Sequence, residues 1–287
     1  MRFYQIRNKS PTLVVETENG MFDLTSANNN ISSLTKLLRE SKQNDRHLSG
    51  FTKQLIPDTT KLLPDDVFAR LEIPCRPAEV WGAGVTYEIS EQARESESIM
   101  PDMYMNVYNA ERPEIFFKAT SSRIVGPNQA IGIRYDSEWD VPEPELGLVL
   151  YEGRIIGYTI GNDVSSRSIE GANPLYLPQA KMYMKSCAIG PSIVTADGID
   201  PQDLKMSMKI SRNNEVIFEG SSSTNQLKRS FDELVEYCVR CDAVPELMIL
   251  LTGTSIVPDE GVSLMEGDDV AIHIDEIGTL RNHAVTV

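Results

Sequence analysis

Along the first 25 residues apolar and polar positions alternate, with turn signals at Asn8-Lys9-Ser10-Pro11 and Glu18-Asn19-Gly20. A period of two belongs to strands with one buried face, so this segment predicts a small sheet. The period then lengthens: Leu34, Leu37, Leu38, Phe51 and Leu55 fall at helical spacing, broken by a polar stretch. Pro57, Pro64, Pro74 and Pro77 follow and predict an extended connector. The boundary falls near residue 73. Residues 1–73 read as a small N-terminal α+β domain and residues 74–287 as a larger β-rich domain.

In the larger part short strand patterns dominate. They are Val80–Gly82, Ile115–Lys118, Leu146–Tyr151, Ile155–Ile160, Ser192–Thr195, Lys205–Arg212, Val216–Glu219, Met248–Leu251 and Asp269–Ile274. One long helix is predicted over about Ser222–Cys241, and residues 88–112 also read as helical. Many strands and few helices predict a β-rich α+β fold, a mixed sandwich or roll rather than a doubly wound sheet.

The totals narrow the class. With 287 residues, 41% hydrophobic and 24% charged, the chain can bury a sizeable core. No run approaches the roughly 18–20 apolar residues of a membrane span. The N-terminus reads as a strand without a signal-peptide core after it, which predicts a cytoplasmic protein. A net charge of −15 argues against nucleic acid and against anionic membranes, both of which demand clustered Lys and Arg. Cys75 and Cys187 are isolated, and Cys238 and Cys241 form a lone C-x-x-C within a predicted helix. Reduced, helix-packed thiols are expected of that pair, not a zinc site.

Against this background one constellation stands out. Val141-Pro142-Glu143-Pro144-Glu145 opens an apolar run, and Gly161-Asn162-Asp163 closes the next one. Strand alternation points Glu143 and Glu145 the same way, and Pro144 between them places the segment at a strand start or an edge. If Glu152-Gly153-Arg154 form the hairpin loop, Asp163 sits opposite Glu143, with Cβ atoms roughly 5 Å apart. A two-residue loop would shift the register by one and turn Asp163 away. Three acids on one face repel one another, and a hard cation resolves this with oxygen ligands: Mg²⁺, or alternatively Mn²⁺ or Ca²⁺. The competing reading is a rim of solvated surface acids.

At these residues the chain resembles the fumarylacetoacetate hydrolase family. The resemblance rests on Glu143-x-Glu145 followed by Asn162-Asp163-Val164-Ser165-x-Arg167, and on Phe116-Phe117-Lys118, Gly126-Pro127, the Lys181 region, Gly190-Pro191 and Thr252-Gly253-Thr254 in the family's order. It covers about residues 78–287. It implies a mixed β-roll, a metal on Glu143, Glu145 and Asp163, and a homo-oligomer, dimer or tetramer. One departure matters. The family's hydrolases resemble Gly-x-Asn-Tyr-x-x-His-x-x-Glu, whose His and Glu activate water, whereas Ser90 and Ala93 stand at those two positions here. The three histidines, His47, His273 and His283, lie near no motif and read as structural or exposed. The ordinary base for hydrolysis is absent.

Trp81-Gly82-Ala83-Gly84-Val85-Thr86-Tyr87, Arg112-Pro113-Glu114-Ile115-Phe116-Phe117-Lys118, Ser137-Glu138-Trp139 and Asn173–Lys181 are similar to the family's sugar-acid dehydratases instead. That similarity implies a hydro-lyase of sugar acid catabolism acting on a small 2-oxo acid. Its substrate would be a 2-keto-3-deoxy sugar acid such as 2-keto-3-deoxy-D-arabinonate, converted through a metal-stabilised enolate to 2,5-dioxopentanoate. A metal-dependent C–C hydrolase of acylpyruvate-type substrates is the alternative. For proton shuttling Glu114 is the first candidate, because the apolar residues after it would desolvate its carboxyl and raise its pKa. Lys181 matches the family's active-site lysine, which would balance the enolate or position a water. Lys118 matches a similar family position, but its strand context equally allows a buried salt bridge to the metal carboxylates. Tyr87 and Thr254 are expected to bind substrate, and Gly253 to permit close backbone approach. Ser165 and Arg167 are expected to orient the Asp163 carboxylate.

Overall fold

A computed structural model describes residues 1–88, 106–259 and 261–287. Among them the largest sheet runs, from one edge to the other, through Thr60–Leu62, Gly20–Asp23, Pro11–Thr17, Arg2–Arg7, Cys187–Thr195, Arg154–Asp163, Pro144–Tyr151, Leu247–Leu251, Glu79–Gly84 and Glu114–Thr120. A five-stranded sheet packs against it in the order Glu215–Ser223, Lys205–Arg212, Asp269–Ile274, Gly278–Thr286 and Ala130–Ile133. Ile124–Val125 joins the large sheet off this path, beside Cys187–Thr195. Most pairs are antiparallel, but Leu247–Leu251 with Glu79–Gly84, Cys187–Thr195 with Ile124–Val125, and Gly278–Thr286 with Ala130–Ile133 are parallel. The fold is therefore β-rich α+β with mixed sheets, as the strand patterns predict.

The central strands are continuous apolar runs because both of their faces are buried. On one side Leu146, Leu148, Leu150, Met248 and Leu250 join Met206, Met208, Ile210, Val270 and Ile272 of the five-stranded sheet. On the other, Val149, Ile249 and Leu251 join Phe3, Leu13 and Val15 together with Leu34, Leu37 and Leu38 of the helix Leu34–Gln43. Each fully buried Leu of this kind is worth about 1.5–3 kcal/mol, so this double core holds the strand ends in place.

The sheet runs unbroken past residue 73, since Arg2 and Phe3 pair with Val194 and Ile193. We propose residues 1–73 as an accessory unit built onto the sheet of residues 74–287.

Two helical expectations change. The helix expected over Ser222–Cys241 spans only Phe231–Val239. Ser222 and Ser223 end the strand Glu215–Ser223, Thr224–Gln226 make one 3₁₀ turn, and the Ser230 hydroxyl caps the helix by accepting from the Glu233 amide at 3.1 Å. Of the helix expected over 88–112, residues 89–105 lie outside the described residues, while 106–109 are helical. The cysteines are unpaired. Cys75, Cys187 and Cys238 are buried, which pushes their thiols up to about 12, and Cys241 is exposed beyond the helix end. Among the described residues no helix is long and apolar enough to cross a membrane.

Candidate metal centre

The site forms where Pro144–Tyr151 and Arg154–Asp163 meet away from their turn. That turn has two residues, Glu152 and Gly153, both with positive φ (49° and 76°), and Arg154 already pairs with Tyr151. It is the two-residue hairpin whose twist matches the strands, and positive φ is what favours Gly at 153. Alone, such a turn would carry Asp163 to the wrong face. A bulge prevents this: Leu150 pairs with Ile155 but Val149 pairs with Gly157, leaving Ile156 as the extra residue. Beyond it Glu145 lies opposite Gly161, and the Asp163 amide donates to the Glu143 carbonyl at 2.9 Å. The expected register holds, but through a bulge rather than a three-residue loop.

Glu143, Glu145 and Asp163 come together, each almost wholly buried, with a carboxylate oxygen apiece within 4.8 Å of the others. This excludes the reading as a solvated rim. Three cations surround them. Lys181 Nζ lies 2.7 Å from Glu143 Oε2 and 3.1 Å from Asp163 Oδ2, and it donates to Ser165 Oγ at 2.6 Å. Arg167 reaches Glu143 Oε1 at 3.0 Å. Lys118, with no exposure, pairs with Asp163 Oδ1. Arg167 thus grips Glu143, not the Asp163 carboxylate expected from its position. Ser165 supports Asp163 through the backbone, donating to its carbonyl at 2.9 Å.

Glu145 differs from its neighbours. Among the described residues no side-chain cation pairs with it; the Gly253 amide donates to its Oε2 at 2.6 Å. Burial, then the charges of Asp163 and Glu143, push its carboxyl well above the usual range, against the opposing pull of Lys181 and the Gly253 amide. Gly253 carries φ +91°, and a Cβ there would collide with Thr86 Oγ1. The backbone approach expected at Gly253 is therefore made to Glu145.

Glu114, Phe116, Glu170, Lys181, Arg167 and Thr254 line the cleft over the three acids. Glu114 opens the strand Glu114–Thr120 and packs against Gly84. Tyr87, 1% exposed, is not among the cleft-lining side chains; burial foremost, then the Glu145 charge, pushes its hydroxyl up. Glu170 was not anticipated. It sits one helical turn after Arg167 on the helix Arg167–Ala172, buried on the same side. That spacing of three, beginning at a motif Arg, was the available signal. No histidine lines the cleft. A roomier hollow of about 500 Å³ lies beside Arg7, Lys9 and Arg76, but those cations are exposed, whereas the cleft gathers buried ones.

The donor set fits a hard divalent cation. All three candidate ligands are carboxylate oxygens, and among the described residues Glu145 lacks the positive partner that such a cation would supply. Glu143, Glu145 and Asp163 would hold it.

Comparison with known proteins agrees with this geometry. Residues 79–285 match the family model described as fumarylacetoacetate (FAA) hydrolase, C-terminal. Over 278 residues, 96% of each chain, the protein is 52% identical to a protein of Haloferax volcanii named "Probable 2-keto-3-deoxyxylonate dehydratase". It is 48% identical over 217 residues, 74% of this chain and 73% of the other, to 2-dehydro-3-deoxy-D-arabinonate dehydratase of Saccharolobus solfataricus. Among solved structures, 2-keto-3-deoxy-D-arabinonate dehydratase complexed with magnesium and 2,5-dioxopentanoate superposes with a TM-score of 0.86 at 36% identity, covering 100% of this chain and 99% of the other.

Proposed function

This chain belongs to the fumarylacetoacetate hydrolase family, and from that premise we propose that it is a hydro-lyase that removes water from a 2-keto-3-deoxy sugar acid with the help of Mg²⁺. The observation that carries the reading is the buried trio Glu143, Glu145 and Asp163 in a chain 52% identical, nearly end to end, to a protein named for that dehydration. Mn²⁺ and Ca²⁺ suit the same ligands.

Bound by the trio, the metal supplies Lewis-acid polarisation of the 2-oxo acid. The protein's own groups do the rest. Lys181, whose ammonium stands at the cleft floor, balances the negative charge that develops on the keto oxygen when the C3 proton leaves. Glu114, half-buried at the cleft wall, takes the C3 proton and returns it to the departing C4 hydroxyl. The C3–H and C4–O bonds break, one water leaves, and tautomerisation converts a five-carbon substrate to 2,5-dioxopentanoate. Thr254 contacts substrate hydroxyls, and Tyr87 and Gly253 shape the surroundings of Glu145.

The C–C hydrolase reading would demand a water-activating base in place of the family's His and Glu, and Ser90 and Ala93 supply none. The protein with Mg²⁺ is incubated with a 2-keto-3-deoxy pentonate and, separately, with an acylpyruvate. Formation of a dioxo acid without pyruvate release is expected. Pyruvate from the acylpyruvate alone would reject the dehydratase.

A further inference from the structure

Two lysines stand beside the three acids, and their surroundings differ. An ammonium has three protons to donate. Lys118 donates to two carbonyls inside the protein, Val164 at 2.9 Å and Lys181 at 2.6 Å, and forms an ion pair with the Asp163 carboxylate. Lys118 has no exposure and does not line the cleft, whereas Lys181 does. The partners of Lys118 come from two places. Asp163 ends the strand Arg154–Asp163 and Val164 follows it, and Lys181 is the last residue of the helix Leu177–Lys181. The head of Lys181 then turns back to Glu143, Asp163 and Ser165.

We infer that Lys118 is a positioning residue: one ammonium ties the Asp163 carboxylate to the main chain from which Lys181 springs, and so sets the distance between a metal ligand and the cleft's working ammonium. It touches no substrate. Lys118 is the extra residue of a bulge in the strand Glu114–Thr120, since Val80 pairs with Ala119 but Trp81 pairs with Phe117. The ring of Phe116 lies 5.5 Å from Lys181 Nζ. One strand thus carries the residue proposed for proton transfer at its cleft end and the positioning residue at its buried end.

Calorimetric titration of Mg²⁺ into the wild type, K118M and K118R separates positioning from charge. If Lys118 were a counter-charge alone, K118M would lose a positive neighbour and bind Mg²⁺ more tightly, and K118R would match the wild type. Positioning predicts the opposite: about 10–100-fold weaker binding in K118M, the usual loss when a group holding a ligand is removed. It also predicts weaker binding in K118R, whose planar fork cannot meet the same three partners. If K118M fails to fold, K118R decides the question. The turnover arm rests on the dehydratase reading: K118M should lower kcat in the wild type but change it less than about threefold in a K181M background, because coupled groups are non-additive. Tighter Mg²⁺ binding in K118M, wild-type binding in K118R, or multiplicative losses in the double variant would overturn the inference. Absence of dehydration by the wild type would reject the function and leave the Mg²⁺ result standing.

Discussion

Two regions of the molecule are laced with ion pairs, and they behave as different materials. On the outside, the helix Leu34–Gln43 is tied to the sheet by Arg39 with Glu246 at 2.6 Å and Lys42 with Glu152 at 2.6 Å, all four side chains between a third and three-fifths exposed. Inside, Lys118, Lys181 and Arg167 meet Glu143 and Asp163 at similar distances, with side chains at most 4% exposed. The geometry is alike and the dielectric is not. Outside, water screens the charges and competes for every hydrogen bond. Inside, removing one partner strands the others without solvation. The exposed pairs decorate a contact that the apolar core already makes, while the buried ones define where the carboxylate oxygens of Glu143 and Asp163 stand.

The sharpest way to test that contrast is at Glu143, which faces Arg167 and Lys181 at once. E143Q is expected to abolish dehydration and to weaken Mg²⁺ binding, read by calorimetry. Because it leaves two buried cations short of charge, it should also lower the unfolding free energy by about 3–5 kcal/mol, the cost of breaking a buried pair, in urea titrations. Unchanged turnover after Mg²⁺ removal by a chelator would break the comparison at its root. Glu114 lies between the two extremes, half-buried in the cleft wall. E114Q should reduce kcat by about 10²–10⁴-fold, the usual contribution of a positioned proton-transfer group, with Mg²⁺ affinity nearly intact; a parallel loss of Mg²⁺ binding would make Glu114 a support of the metal site instead.

The smallest effect is expected outside. Arg39 holds the Glu246 carboxyl below the usual range through its hydrogen bond. A depressed folded-state pKa gives stability above the unfolded value and loses it as pH falls through the lowered one. R39M should therefore differ slightly from the wild type near neutral pH, and the two melting curves should converge below about pH 4, where glutamate protonates. High salt should erase the difference as well. A loss as large as that of E143Q would contradict the distinction between the regions.

The trio itself was legible because its signal is strictly local: two acids flanking a proline, then an acid at the end of the next apolar run. Its consequences for packing were not. The bulge at Ile156 leaves no mark in an Arg-Ile-Ile-Gly-Tyr stretch, because both faces of that strand are apolar and either parity satisfies the pattern. The helix over Ser222–Cys241 was read too long because the strand end and the turn before Ser230 are not amphipathic in either period, although Ser230-x-x-Glu233 marked the true start. That Arg167 grips Glu143, and that Lys118 joins the Asp163 carboxylate to two main-chain carbonyls, depends on how segments meet across the fold. Glu170 escaped notice for the same reason.

The extra residue at 156 also works as slack in the chain. Without Ile156, Val149 still faces Gly157 and Glu143 still faces Asp163, so a single deletion there, or further along the strand if the pairing slides by one, leaves the three acids on a common face. An added residue finds no such slack and must open a second bulge or turn Asp163 over. Within the strand, loss of one residue can use up the existing irregularity, whereas gain of one demands another.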